Sequence, residues 1–273
     1  MLRTALDRYV LGLWLLAWAG MVVAGPTAPT VSLIIDDLGV ALEPGLRVVA
    51  LPGPLACSIL PSTPHATHLA EAAHRAGKEV MLHLPMEAEE GLFLGQGGIT
   101  HTMTHAALSR VVRMDLSLIP YVRGVNNHMG SLLTQNRTTM AWVMADLRER
   151  PGLFFIDSRT TPATVALEAA QAAGLSATRR DLFLDNVPQP VDVRIQFARL
   201  VALARLQGTA VGIAHPRPAT LDMLKEMLPR LAALGVRLVP ISETVARRAA
   251  EPTPLHNPYS IHAAEDVLRL TKR

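Results

Sequence analysis

The sequence predicts an α/β protein built as a single barrel-like β/α domain, and three observations predict it. Short runs rich in Val, Ile and Leu alternate with amphipathic segments along most of the chain. The runs are apolar throughout rather than every second residue, as strands covered on both faces are. Polar side chains that can do chemistry collect where those runs stop. Alternation of strands and helices implies a parallel sheet with crossover helices. About seven such units in a chain of 273 residues suit one barrel better than two small domains.

Taken in order, residues 1–24 join Arg3 and Arg8 to an apolar run that ends on the small residues Val22 and Ala24. That pattern is a secretory signal peptide, with the mature chain expected from Gly25 and no transmembrane segment after cleavage. The run is short for a membrane span, so an uncleaved N-terminal anchor is the weaker alternative. A linker follows over 25–30, GPTAPT, and the barrel domain is expected over 31–250. Strands are expected at 31–36, 55–60, 79–84, 122–126, 153–157, 209–214 and 236–241. Helices are expected at 65–77, 104–120, 138–150, 163–173, 192–207, 218–234 and 243–250. The helix at 104–120 opens on Thr104, a natural N-cap, and sets Leu108, Val111, Val112 and Leu116 on one face. The stretch 85–103 is a long glycine-containing loop, of the kind that often carries function. Residues 251–273 form a proline-containing C-terminal tail.

Composition narrows the partners. The chain is 49% hydrophobic and 18% charged, enough for one substantial core. Its net charge of +3 comes from scattered basic residues without a clustered run, so nucleic acid is not an expected partner. Cys57 is the single cysteine and lies in the apolar stretch LACSIL, which fits a small buried side chain and excludes an intrachain disulfide.

Chemistry in parallel β/α folds gathers at the carboxyl ends of the strands. The first expected strand ends in Asp36-Asp37, and the third carries His83. The fourth runs into Asn126, Asn127 and His128; the fifth ends in Asp157, with Ser158 and Arg159 after it; the sixth is followed by His215. Only the second, which stops at Pro61-Ser62, lacks an Asp or His among these. Each residue alone has an ordinary explanation as a helix cap, a turn or a core imidazole. Their joint placement points to one shared polar site. Two adjacent carboxylates beside histidines suit a divalent cation, with one carboxylate as ligand and the other acting on water. A cation also relieves the repulsion between neighbouring Asp36 and Asp37. His65, His68 and His74 fall on or beside one helix, and His256 and His262 fall in the tail. His101 and His105 have metal-pair spacing, but the cap Thr104 divides them between a loop and a helix. Trp142 lies in an amphipathic helix and reads as core.

The stretches LIIDDLG, EVMLHLPME, GVNNHMGS, FFIDSRTT, RRDLFLDN and VGIAHPRPATLDML resemble the divergent polysaccharide deacetylase family, a distant branch of the NodB-type carbohydrate esterases. The resemblance implies a single distorted β/α barrel of NodB-like type and metal-dependent removal of N- or O-linked acyl groups from sugars. It implies Asp36 as the catalytic base, Asp37 and His83 as metal ligands, and His215 as the catalytic acid. NodB-type enzymes usually place a second ligand histidine four residues after the first; here that position is Glu87. His128 on the fourth strand is the expected third ligand, with Glu87 as the alternative. The arginine motif of the larger family is absent, and Arg159 or Arg217 is expected to orient the base in its place. Asn126, Asn127, Asp157 and Asp185 are expected around the ligands, and Asp181 with Asp185 on the pocket floor. Zinc is the default metal for an Asp/His/His set, with cobalt, nickel or manganese as alternatives. An envelope glycan or amino sugar is the expected substrate, and the periplasm the expected location. A catalytically inactive envelope scaffold, binding a glycan or a protein partner, is the competing function.

Overall fold

The computed structural model describes residues 28–250. The expected signal peptide, its anchor alternative and the C-terminal tail lie outside the described residues. Among the described residues nine strands form one parallel sheet: β1 (Thr30–Leu38), β2 (Ala56–Ile59), β3 (Glu79–Met86), β4 (Val122–Met129), β5 (Phe154–Asp157), β6 (Ser176–Arg179), β7 (Leu182–Phe183), β8 (Thr209–Ala214) and β9 (Arg237–Leu238). Their order is β6-β5-β4-β3-β2-β1-β8-β7, with β9 paired to β1. Eight α-helices accompany them: α1 (Leu42–Val49), α2 (Ala66–Arg75), α3 (His105–Leu118), α4 (Arg137–Arg148), α5 (Ala166–Ala172), α6 (Pro190–Gln207), α7 (Pro218–Met227) and α8 (Ile241–Ala250). Among the described residues no helix is long and apolar enough to cross a membrane.

The seven expected strands are present, and the elements differ from expectation in four places. The run at 236–241 is only the two-residue β9, because Ile241 already starts α8. β6 and β7 come from 175–184, where RRDL interrupts the apolar pattern. The helix α1 forms in spite of Pro44 and Gly45. Gly45 is needed there, because a Cβ would come within 2.4 Å of a Leu69 methyl on α2. The expected helix at 218–234 stops at Met227 and tightens into a 3₁₀ turn at Pro229. Thr104 caps α3 as expected, its hydroxyl accepting from the Ala107 N–H.

Two apolar layers hold the barrel. One lies between the sheet and the surrounding helices and includes Leu33, Ile35, Leu82, Phe155 and Phe197. The other fills the interior with Ile34, Ala56, Met81, Ile156 and Ile213, which α8 plugs with Ile241 and Val245. Strand side chains alternate between the two faces. The next inward positions above this interior layer are Asp36, Ser58, His83, Asn126, Ser158 and His215. The apolar floor thus carries a polar layer at the carboxyl ends of the strands.

The two ends of the sheet are consecutive in the chain. β6 pairs with β5, β7 pairs with β8, and only Arg180 and Asp181 lie between them. At the hand-over the Arg180 N–H bonds to the Asp157 carbonyl and the Asp181 N–H to that of Val211. Arg248 of α8 fills the seam, donating to Thr209 Oγ1 at 2.9 Å, Thr178 Oγ1 at 3.1 Å and the Arg179 carbonyl at 3.2 Å, and pairing with Asp181. Asp181 is therefore a seam residue, not the pocket-floor residue expected from the sequence. Arg248→Met is expected to cost about 3 kcal/mol in a urea titration, because it strands a buried carboxylate. A loss below about 1 kcal/mol would show that the seam does not need the ion pair.

Asp115 on α3 is fully buried and neither carboxylate oxygen has a partner. Gly97, at φ +83°, packs so closely that a Cβ would lie 2.5 Å from Asp115 Oδ1. Burial pushes the Asp115 pKa up to about 7. A folded-state pKa above the unfolded value means that the native state holds the proton more tightly. The associated stability is complete below the usual carboxyl range and is lost as pH rises toward 7, roughly 4 kcal/mol in all. Asp115→Asn is expected to be more stable than the parent at pH 8, by about 1–3 kcal/mol, and not at pH 4. Denaturation curves at the two pH values check this; an advantage independent of pH would refute it.

Candidate metal centre

Strand alternation should turn Asp36 and Asp37 to opposite faces. Instead Asp37 takes a left-handed backbone, φ 58°, and the pairing of β1 with β2 slips between Ile35 and Leu38. This bulge brings the second carboxylate back over the cup. Asp tolerates the left-handed region better than most residues, so the device suits its sequence. Ser62, Met129 and Arg159 also have positive φ, near the ends of β2, β4 and β5. The backbone turns sharply around much of this rim.

Asp37, His83 and His128 converge. Asp37 Oδ1 lies 3.3 Å from His83 Nε2 and 3.0 Å from His128 Nδ1, and the two ring nitrogens are 3.2 Å apart. Ligand atoms around one tetrahedral zinc are about 3.3–3.4 Å apart, given bonds of about 2.0–2.1 Å. Asp37 Oδ1 is buried, and no hydrogen bond satisfies it. An orphaned carboxylate oxygen facing two imidazole nitrogens fits a divalent cation. Burial works against a charged Asp37, but His128 and His83 outweigh it and hold the carboxyl well below its usual range.

Asn126, fully buried on β4, organises the layer behind these groups. Its Nδ2 donates to Asp36 Oδ1 at 2.9 Å and to Ser158 Oγ at 3.2 Å. Its Oδ1 accepts from Ser58 Oγ at 2.5 Å and faces His83 Nδ1 at 3.0 Å. The opposite amide orientation would set its oxygen against the Asp36 carboxylate, so the network fixes it. With Nδ1–H committed to Asn126, His83 presents the Nε2 lone pair to the cup. Burial raises the Asp36 pKa above its usual range, although His83 and Asn126 pull it down. The expected orienting arginines do not do this work: no hydrogen bond or ion pair joins Arg159 or Arg217 to Asp36.

His215 stands across the cup, its Nε2 3.8 Å from Asp37 Oδ2. Asp185 grips it twice, from the His215 N–H at 2.8 Å and at Nδ1 at 2.9 Å, while Thr220 donates to the same carboxylate. Burial opposes a charged His215, but Asp185 and then Asp36 and Asp37 raise its pKa. Phe183 stacks near-parallel on His215, with ring centres 6.0 Å apart, and the Arg180 guanidinium lies 3.7 Å from the centre of the Phe183 ring.

The remaining expected residues sit outside the cup. Glu87 is not with the other ligands; its carboxylate binds the His101 N–H at 2.8 Å and Nδ1 at 2.6 Å. His105 stacks on Trp142. Asn127 joins the ends of β4 and β5, accepting from the Ser158 N–H and donating to the Met129 carbonyl. Asp157 closes a turn through the Arg159 N–H and Thr164. Arg217 donates to the Asp185 carbonyl. Cys57 is buried with its pKa pushed up to about 12, hence inert. Sequence reading did not find Ser58, Thr220, Phe183 or Arg180 as parts of the site. Inward register with Asp36 would have found Ser58.

A distorted parallel β/α barrel with this polar rim defines a polysaccharide-deacetylase type of fold. The chain belongs to the divergent polysaccharide deacetylase family, whose model matches residues 33–245. It is 38% identical over 217 residues to the uncharacterized Escherichia coli (strain K12) protein YibQ, covering 80% of this chain and 66% of YibQ. The chain therefore spans just under two-thirds of that relative. It is 32% identical over 200 residues to an uncharacterized Haemophilus influenzae protein, covering 73% of this chain and 71% of the other. The crystal structure of the uncharacterized protein ATU2773 from Agrobacterium tumefaciens C58 superposes with a TM-score of 0.77 at 20% identity, over 81% of this chain and 91% of that one. At that identity the likeness speaks for the fold alone.

Proposed function

We propose that this protein is an exported hydrolase that removes acyl groups from an envelope polysaccharide or amino sugar in the periplasm. The observation that carries the reading is the convergence of Asp37, His83 and His128, with Asp36 on one side and the Asp185–His215 pair on the other. Asp37, His83 and His128 would hold a divalent cation, zinc by default. Such an ion lowers the pKa of water at its open position and polarises a carbonyl oxygen. Asp36, its carboxyl fixed by Asn126, takes the proton of the attacking water. His215 gives a proton from Nε2 to the leaving amine or alkoxide, and Asp185 holds Nδ1–H so that Nε2 faces the cup. Acyl transfer to water leaves a carboxylate and a free amine or hydroxyl, so no other reactant is needed.

The test is to measure bound metal and acetate release from N-acetylglucosamine oligomers and peptidoglycan. One divalent ion per chain, with release lost in Asp36→Asn while the metal stays, is expected. Metal bound without release from any acylated glycan would overturn the reading. It would favour a non-catalytic envelope scaffold, which the loop after β3 also supports: Phe93 is 90% exposed at its tip, beside Leu92 at 54%. Partner capture that survives Asp37→Ala/His83→Ala but fails in Phe93→Ser would mark that scaffold.

A further inference from the structure

The arginines beyond β5 and β6 are left over from the acyl-transfer machinery. The register pairs Asp157 with Arg179, so both side chains leave the same, outer face of the sheet. Arg159 follows two residues later, half-buried, and its guanidinium makes no hydrogen bond or ion pair with any described residue. Arg179 is also half-buried, and its Nε–H is buried without a partner. Burial first, and the charge of Arg159 second, lower the Arg179 pKa, against the opposite pull of Asp181 and Asp157.

Asp181 and Asp157 offset part of the charge at Arg179, but both carboxylates are also bound elsewhere. Asp157 spends its oxygens on the Arg159 N–H at 2.8 Å and the Thr164 hydroxyl at 3.1 Å. Asp181 is bound to Arg248 and to the Val211 N–H. Arg180 donates to the Ser158 carbonyl at 2.6 Å and the Arg159 carbonyl at 2.8 Å, and adds another positive charge. Two partly desolvated guanidinium groups with an orphaned N–H cost free energy until an acceptor arrives. An oxyanion satisfies both, because each guanidinium fork matches two acceptor oxygens of a carboxylate or phosphate.

We propose that Arg159 and Arg179 form a binding site for an oxyanion group, a carboxylate or phosphate, on the outer rim beside the cup. Ser158, the residue before Arg159, accepts from Asn126, which holds Asp36. An anion at this place therefore sits on the same rim as the reaction centre. It selects acylated sugars that carry an acidic group over neutral ones. The anion site stands on its own residues; its use in choosing substrate rests on the hydrolase reading.

Calorimetric titration of the whole protein tests it, with inorganic phosphate, N-acetylmuramic acid as an acidic acetylated sugar, and N-acetylglucosamine as its neutral counterpart. Phosphate and the acidic sugar are expected to bind saturably, the neutral sugar at least about tenfold more weakly, with affinity falling as salt rises. Arg159→Gln, on the half-exposed rim, is expected to weaken both anions about tenfold or more with its circular dichroism melt unchanged. Phosphate should raise the melting temperature of the parent and not of Arg159→Gln. No saturable anion binding, or binding that survives Arg159→Gln, overturns the inference; the second result would place the anion elsewhere, such as on the metal. Intact anion binding without acyl release from any substrate would overturn the hydrolase reading and leave the anion site standing. Binding of free phosphate but not of the acidic sugar would overturn the glycan assignment.

Discussion

Asp37→Asn is expected to empty the metal centre and abolish acyl release while leaving the barrel folded. Asparagine keeps the shape of aspartate and tolerates the left-handed backbone at φ 58°. The bulge in β1 therefore survives. What is lost is the charge of a carboxylate whose buried Oδ1 has no hydrogen-bond partner. Without it His83 Nε2 and His128 Nδ1 are left as a two-imidazole site, too weak a set to retain a divalent cation through dialysis. Acyl release is expected to fall on the order of a thousandfold or more, since the ion supplies several kcal/mol of charge stabilisation. Metal analysis, acetate release and a thermal melt make one decisive set. Full metal content in the variant would remove Asp37 from the ligands.

Asn126→Ala is expected to be the most damaging single change to stability in the cup. Alanine would leave Asp36 buried beside His83 without its amide donor, the Ser58 hydroxyl without its acceptor, and His83 Nδ1 without a partner. Unmet buried groups of this kind add to about 3–5 kcal/mol, less whatever water recovers. The His83 tautomer would also be set free, and loss of such a partner costs about 10–100-fold in metal affinity. Urea titration measures the first effect and competition with a chelator the second. A loss under about 1 kcal/mol with unchanged metal affinity would mean that Asn126 does not organise the site.

Much of the barrel and part of the site can be read from the sequence, for reasons that particular residues show. Apolar runs covered on both faces declare β1, β3 and β8, and His83 stands out because it is polar inside such a run. Ser58 is hidden for the opposite reason: a small hydroxyl in LACSIL reads as filler. β6 and β7 are too short, at four and two residues, to produce a pattern. Pro44 and Gly45 conceal α1, because tertiary packing on Leu69 overrides weak helix propensity. Spacing could not show that Asp37 turns inward, since that depends on one backbone angle. Nor could it show that a neutral amide, Asn126, does the work expected of Arg159 or Arg217, because the two asparagines of NNHMG look alike until strand parity assigns one of them inward.

The place of β1 has a temporal consequence. Thr30 pairs with Thr209 on one neighbour and with Arg237 on the other. The strand that carries both aspartates is therefore completed by segments about 180 and 210 residues further along the chain. Closing so large a loop is slow, and these partners cannot meet until the chain through Leu238 has emerged. Assembly of the cup should thus come late, with Asp37 brought over His83 and His128 only after β8 and β9 have joined β1.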